Sequence, residues 1–408
     1  MLERFYRWLA PLIYLPNINP FVAILKSEVF PWAFLFSLRP DLKLPKPYRY
    51  FLLYLLASAG YMIFQGSGVL IPARSFFALL NASLIFFVII EIQPKEHHWL
   101  GKVFDVIFGL NIAIALLQTL SLFPSWLTPI VQLFLDRFAD SPEGWGRGVA
   151  ALFAEPSYAS IGLHYYFAYF MLRHKIDQKA LLGISLTVGM ALFDIFVIRS
   201  ATGLVMISIY FISQQSWRDV WRGAIVLTLM ALGVLYLSRS VVELPRSLDI
   251  LYQVIFEQRY QDFYDFMLLE SGHRAIGVIS AYNYGIQNWI GAGLGAWPNA
   301  SISAMEAMGI DAGQIGYFEA FFDSTYDGIR PTSYVAGLML EAGLIGAVLF
   351  FRAFWKYLFD TRLFSNTHTR PIIFLFLFNA LLLGTIGDPI PFIFLALAHL
   401  SVKLETRS

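Results

Sequence analysis

The chain has 408 residues, of which 58% are hydrophobic, 17% aromatic and only 14% charged, and its mean hydropathy is +0.62. Soluble domains carry about a quarter charged residues, so this composition excludes an ordinary soluble protein. The net charge of +1 argues against a nucleic-acid partner, and the absence of cysteine excludes disulfides and thiolate metal sites.

Apolar runs of about 17 to 25 residues recur along nearly the whole chain, each long enough as an α-helix to cross about 30 Å of hydrocarbon. We therefore expect an all-α fold, a polytopic membrane helical bundle of about 11 (10 to 12) transmembrane helices. Residues 8–25 predict either a further span or an interfacial helix, because Lys26 and Glu28 interrupt the apolar pattern. The predicted spans are 21–38, 50–70, 75–93, 101–122, 149–172, 180–198, 201–215, 223–238, 334–351, 371–387 and 389–402.

Basic residues in short loops predict the orientation of the bundle, since lysine and arginine favour the cytoplasmic side. Such loops recur at every second connection, at 39–49, 94–102, 173–179, 217–222 and 352–370. The remaining connections then face outward. The longest of them is expected to contain short helices and to pack as a subdomain. The predicted organisation is one integrated membrane domain, with N-terminal transmembrane helices at 1–238, the large outer loop at 239–332 and C-terminal transmembrane helices at 333–408.

Arginine is the only basic residue type expected in the outward loops, unless Lys26 faces outward. The guanidinium group is a planar fork that binds phosphate or carboxylate through two hydrogen bonds, so the outer face is predicted to hold an anion. The alternative for any one of them is an ordinary pair with a nearby acid on a solvated surface. The arginines concerned are Arg74, Arg137, Arg147, Arg199, Arg239, Arg246, Arg259, Arg274 and Arg330.

Ionisable side chains also fall inside the predicted spans. Glu155 lies about two turns deeper than Arg147, and an ionisable group at that depth indicates a functional site or a structural pair with this arginine. Asp194 is placed to pair with Arg199 at the outer end of its span. Glu341 predicts either a reactive carboxylate or one that a neighbouring helix satisfies, and we favour the packing role.

Four sequence patterns together resemble a known family. They are EPS at 155–157, SATG at 200–203, an outer-loop arginine followed by the glycine-rich AGLGA, and a PTS segment that enters a span with EAGLIG. This order is similar to the bacterial O-antigen polymerase and O-antigen ligase superfamily, multi-span GT-C-type glycosyltransferases that use undecaprenyl-diphosphate-linked glycans. The resemblance covers roughly residues 147–346.

The ligase branch of that family has a histidine, then a polar residue, and two small residues further on. Ser333, Gly343 and Gly346 keep this spacing, but Thr332 stands where the ligase has its histidine, which favours the polymerase branch. The polymerases are described with an arginine, ten residues and a glycine in two outer loops. The same spacing occurs here at Arg137 to Gly148 and at Arg274 to Gly285.

The resemblance implies transfer of a glycan from a polyprenyl diphosphate to a sugar hydroxyl. This reaction needs cations for the departing diphosphate and a base near the acceptor. Neither a metal nor another cofactor is expected. We predict Arg274 and Arg330 as the catalytic diphosphate clamp, with Glu155 and His273 as candidate bases. The predicted substrate-binding residues are Arg147, Arg199, Ser333, Tyr334, Glu319 and Asp323.

The predicted activity is polymerisation of undecaprenyl-diphosphate-linked repeat units into O-antigen or a related surface polysaccharide. Expected partners are the lipid-linked donor and acceptor, membrane lipids and a polysaccharide chain-length regulator, with no nucleic acid. The expected location is the bacterial inner membrane, with the active site facing the periplasm. One alternative is an O-antigen ligase that transfers polysaccharide to lipid A core. Another is a lipid-linked oligosaccharide flippase, for which internal repeats and charged residues near the middle of several spans would be typical.

Overall fold

A computed structural model describes residues 10–15, 18, 42–92, 94–135, 138, 140–142, 148–178, 180–214, 252–253, 256–258, 272–312, 315 and 330–405. Every regular element in these ranges is a helix, as the sequence predicted. The α-helices are α1 Lys46–Phe64, α2 Leu70–Ile90, α3 Pro94–Thr119, α4 Thr128–Gln132, α5 Pro156–Arg173, α6 Leu181–Phe193, α7 Ala201–Gln214, α8 Gly272–Gln287, α9 Trp297–Glu306, α10 Tyr334–Leu358, α11 Thr361–Ser365, α12 Arg370–Leu381 and α13 Ile390–Glu405.

Four helices among the described residues are long and apolar enough to cross a membrane, so the chain fits a membrane protein. They are Leu70–Ile90, Glu96–Thr119, Leu181–Ile198 and Tyr334–Leu358, the third of which joins α6 to a turn of π-helix at Asp194–Ile198. Shorter apolar helices occur at Thr202–Gln214, Arg370–Leu381 and Ile390–Leu404. The predicted spans at 21–38 and 223–238 lie outside the described residues.

Several predicted spans differ from the helices at their ends. The span predicted at 149–172 begins as a helix only at Pro156, because proline lacks an amide hydrogen and suits the first helical position. The span predicted at 371–387 ends as a helix at Leu381, and residues 382–389 form a non-helical connection to α13. The span predicted at 334–351 continues to Leu358.

Helix α10 lies at the centre of the described bundle, where it packs against α1, α8 and α12. Aromatic rings fill the contact between α10, α1 and α2. The ring centroids of Tyr48 and Phe87 lie 4.3 Å apart, and those of Phe350 and Phe354 lie 4.9 Å apart. A second group of rings surrounds Phe394 of α13, which packs on α2 and α5. Tilted and edge-on ring pairs add stabilisation beyond that of buried area alone.

The hydrogen-bond ladder of α10 is broken at Gly343, and the loop between α8 and α9 fills the break. Gly343 has φ 65° and ψ −168°, and an added Cβ would lie 2.3 Å from the carbonyl oxygen of Trp289. The carbonyl groups that the break frees accept hydrogen bonds from the Ala292 amide (2.9 Å, to Leu340) and the Gly293 amide (2.8 Å, to Glu341). Irregular backbone inside a bundle needs such partners, so this loop is part of the core.

Candidate functional site

The two ends of the described bundle differ in their basic residues, because lysines occur at only one of them. At one end, Gly148 lies against Ile198 and Gly295 against Pro72. We name it the arginine end, because its described basic residues are Arg74, Arg199, Arg274 and Arg330. We name the opposite end the lysine end. It holds every lysine of the described residues, namely Lys43, Lys46, Lys95, Lys102, Lys175, Lys356 and Lys403.

Arg274 and Glu155 form an ion pair at the arginine end. Arg274 lies in the first turn of α8, and Glu155 lies immediately before α5. One Nη of Arg274 is 3.3 Å from Oε1 of Glu155, and the two side chains are 39% and 21% exposed. Both residues belong to the predicted catalytic set, and the fold brings them together across 119 positions of sequence. Their exposure leaves the pair open to an incoming ligand.

The start of α5 adds positive potential beside this pair. Glu155 is the cap residue of α5 with extended backbone (φ −158°), but its carboxylate does not cap the helix amides. The carboxylate instead accepts a short hydrogen bond from the hydroxyl of Ser157. The amide end of an 18-residue helix carries a partial positive charge, which together with Arg274 favours anions.

The π turn holds Arg199 at the same end of the bundle. Arg199 has left-handed backbone (φ 52°), and its Nε donates to the carbonyl oxygen of Phe196 (3.3 Å). The amide of Val149 donates to the carbonyl oxygen of Val197 (3.3 Å), so the segment that leads into Glu155 runs against this turn.

Other predicted site residues are not described. Arg147, Glu319 and Asp323 lie outside the described residues, and His273 is placed only as part of the α8 backbone.

Arg330, the second residue of the predicted diphosphate clamp, pairs with Glu341 and not with Glu155. An Nη of Arg330 lies 2.7 Å from Oε1 of Glu341, and these side chains are 8% and 0% exposed. Arg330 also donates a short hydrogen bond to Ser75 and lies 5.3 Å from the ring centre of Trp297. The two arginines therefore occupy separate ion pairs, and the buried one joins α10 to α2. A packing role for Glu341 fits these contacts.

Ser333 and Tyr334, two of the predicted substrate-binding residues, make hydrogen bonds within the bundle. The Ser333 hydroxyl accepts from the Ala336 amide (3.1 Å), which caps α10, and donates to the carbonyl oxygen of Ala380 (2.9 Å). The Tyr334 hydroxyl donates to the carbonyl oxygen of Leu79 (3.0 Å). Both side chains are buried, and their hydrogen bonds join α10 to neighbouring helices.

A buried polar cluster joins α5 to the π turn, and the sequence interpretation missed it. Asp194 contacts His164 (Oδ2 to Nε2, 3.1 Å) and accepts from the Ser160 hydroxyl (2.5 Å), and all three side chains are fully buried. The predicted pairing of Asp194 with the Arg199 side chain is therefore wrong. The spacing of Ser160 and His164, four residues apart on one helix face, was the available signal.

The geometry of this cluster places one of its protons. Nδ1 of His164 lies 2.8 Å from the carbonyl oxygen of Ser160, which only accepts, so Nδ1 carries a hydrogen. Nε2 of His164 lies 3.1 Å from Oδ2 of Asp194 but outside hydrogen-bond geometry, so the two groups are in contact without a formed hydrogen bond.

A crevice at the arginine end is lined by uncharged side chains, of which four can form hydrogen bonds. It encloses about 510 Å³ between the α1–α2 turn and the start of α9. Its hydrogen-bonding side chains are those of Ser67, Tyr284, Asn299 and Ser303. Tyr284 lies ten residues after Arg274 on α8, which is about 15 Å along the helix axis. Hydroxyl and amide groups without formal charge suit a polyhydroxylated ligand.

Among the described residues, no group of three or more histidine, cysteine or acidic side chains is arranged to hold a metal ion.

Comparison with protein-family models finds no match for this sequence, and comparisons with curated proteins and with solved structures find none either. The class of the protein is therefore described from its fold and its candidate site alone. The described chain is all-helical, has helices of membrane-spanning character, and carries a half-exposed Arg274–Glu155 pair at one end of its bundle.

Proposed function

We propose that this protein is an integral membrane glycosyltransferase of about 11 spans in the bacterial inner membrane. It polymerises undecaprenyl-diphosphate-linked repeat units into O-antigen or a related surface polysaccharide, without a metal, at the periplasmic face. The observation that carries the proposal is the Arg274–Glu155 pair beside the amide end of α5. The confinement of the described lysines to the opposite end supports the orientation, because lysine favours the cytoplasmic side.

The chemistry follows from an exchange of partners at this pair. A diphosphate that binds Arg274 displaces Glu155, whose carboxylate is then free to accept the proton of an acceptor hydroxyl. The hydroxyl oxygen bonds to the anomeric carbon of the donor sugar, and the bond from that carbon to the diphosphate breaks. Arg274 and the α5 dipole stabilise the negative charge that develops on the departing diphosphate. The crevice near Tyr284 offers hydroxyl and amide contacts for the glycan.

A defined reaction tests the proposal. Purified protein is supplied with a synthetic undecaprenyl-diphosphate repeat unit, without nucleotide or metal, and a ladder of lipid-linked products is expected. R274K should lower kcat by about 10²-fold, because the fork of the guanidinium is lost, and E155Q by about 10²- to 10⁴-fold. R362K, at the lysine end, is the matched control. Full activity in both R274K and E155Q would remove the pair from the mechanism.

Thr332 bears on the choice between polymerase and ligase. Its hydroxyl oxygen is buried and has no hydrogen-bond partner among the described residues, and it cannot take up a proton as the imidazole of a ligase would. This difference supports polymerisation. Products that form only after lipid A core is added would instead indicate a ligase.

A lipid-linked oligosaccharide flippase is the second candidate, and buried features of the bundle favour it. The His164–Asp194 pair and the interruptions at the π turn and at Gly343 resemble the ionisable groups and broken helices of transporters. The same assay in vesicles separates the two candidates. Movement of the substrate to a protected side with no new glycosidic bond would support the flippase.

A further inference from the structure

A second crevice opens at the lysine end, remote from the Arg274–Glu155 pair. It encloses about 710 Å³ between the start of α1 and the last turns of α10. Pro45 and Pro47 form one wall. The other wall is a face of α10 built from Val348, Phe351, Ala353, Trp355 and the cations Arg352 and Lys356. Apart from these two cations, the lining side chains are apolar or aromatic.

The two cations of this crevice are not neutralised by any described carboxylate. Arg352 and Lys356 are four residues apart, on the same side of α10, and both are exposed. Lys356 lies 4.6 Å from the ring centre of Tyr357, a contact that leaves its charge in place. Nearby arginines differ, since Arg362 pairs with Asp360 at 2.7 Å and Arg173 with Asp105 at 3.1 Å.

The backbone of α1 adds to the positive potential of the crevice. The helix begins after Pro45, and no side chain caps its first amide groups. An uncapped helix start carries a partial positive charge. The crevice is therefore lined by the side chains of a guanidinium and an ammonium, and the start of α1 lies next to them.

The walls identify the kind of anion that fits. Arg352 lies six residues before the end of α10, about 9 Å along its axis, at a depth from which a long side chain reaches the headgroup layer. Val348 (56% exposed) and Ile345 (38% exposed) continue the apolar surface away from the cations, along the direction of an acyl chain. Trp355 is 60% exposed, as is typical of a residue at the membrane interface.

We infer that this crevice binds an anionic phospholipid, with its phosphate on Arg352 and Lys356 and an acyl chain along Val348 and Ile345. A soluble phosphate would use the cations and leave the apolar walls uncovered. A zwitterionic lipid would use the walls and bring no net charge to the cations. The inference does not depend on the proposed glycosyl transfer.

Native mass spectrometry of the full-length protein in detergent tests the inference, with phosphatidylglycerol compared against phosphatidylcholine. The wild-type protein should bind phosphatidylglycerol at least about tenfold more tightly. R352Q/K356Q should lose this selectivity, whereas R352K/K356R, which keeps both charges, should retain it. K102Q/R362Q is the matched control, because it removes the same two residue types elsewhere at the lysine end.

Tryptophan quenching by brominated phosphatidylglycerol locates the bound lipid. W355F should show less quenching than the wild type, because the reporting ring is removed while the wall stays aromatic. Equal retention of both lipids by the wild type would overturn the inference, and this comparison needs no variant to fold. Unchanged selectivity in R352Q/K356Q, or binding of glycerol phosphate as tight as that of the lipid, would overturn it too.

Discussion

The buried Arg330–Glu341 pair makes the sharpest prediction, because it separates a structural arginine from Arg274, the arginine proposed to be catalytic. Glu341→Gln removes the negative charge but keeps the shape of the side chain. Arg330, which is 8% exposed, then loses the carboxylate of Glu341, and the Gly295 amide donates to a weaker acceptor than the carboxylate oxygen now 3.3 Å away. Breaking a buried ion pair from one side costs about 3–5 kcal/mol. We expect a loss of this size in the free energy of unfolding.

The reverse substitution and the double variant complete the test. Arg330→Met should cost a similar amount, since it leaves the carboxylate of Glu341 buried without this cation. R330M/E341M removes both charges and should recover most of the loss, with a remaining deficit of about 1–2 kcal/mol from the unpaired Gly295 amide. Stability is measured by equilibrium unfolding in mixed micelles, followed by circular dichroism. D360N, which breaks a pair at the surface, is the control and should lower stability much less than Glu341→Gln does.

Activity decides how the result is interpreted. In the folded fraction, R330M/E341M should keep most of the proposed glycosyl transfer, because neither residue contacts the Arg274–Glu155 pair in the structure. A Glu341→Gln protein that is as stable as the wild type but has no activity would refute this reasoning. It would indicate that Glu341 takes part in the reaction.

Three further predictions concern backbone geometry and pH. Gly343→Ala should lower the free energy of unfolding by at least about 1–3 kcal/mol, because the added Cβ would clash with the backbone of Trp289 and the φ angle is positive. Gly60→Ala, with open space around the added Cβ, should be neutral or stabilising in the same unfolding assay. Gly203→Ala should also destabilise, since its Cβ would lie 2.4 Å from Cγ of Asp194, and loss of the cluster can be followed by NMR of the histidine ring. A hydrogen bond from Arg362 lowers the pKa of Asp360. This pair therefore stabilises the fold above about pH 4, and the stabilisation is lost as the pH falls through the lowered pKa. The unfolding free energies of D360N and the wild type should accordingly converge at low pH.

The helices were predictable because long apolar runs have few alternatives to an α-helix in hydrocarbon. Their ends were harder to predict, for local reasons. The span predicted for α10 ended before Arg352, but the helix continues to Leu358. Long cationic side chains can reach the membrane interface while their backbone stays helical. The span predicted for α5 began at residue 149, but the residues before Pro156 are buried and not helical. Hydropathy does not distinguish a buried helix from buried irregular backbone.

The site was predictable only in part, because pairing depends on three-dimensional register. The type of residue at Arg274 and Glu155 indicated function, but their contact depends on where α8 docks. Arg330 looked equivalent to Arg274 in sequence, but the fold pairs it with Glu341, which also accepts from the Gly295 amide of the docked loop. His164 and Asp194 lie 30 positions apart, so nothing in their local sequence reveals the contact, which needs the relative register of α5 and α6.

The buried contact between His164 and Asp194 bears on how the protein enters the bilayer. The two residues sit on successive helices joined by a short connection at 174–180, so they can meet as soon as that hairpin leaves the translocon. Inserted one at a time, each helix would carry an unmatched ionisable group past lipid tails. Inserted together, the two groups face each other inside the protein, so we expect the hairpin to insert as one unit.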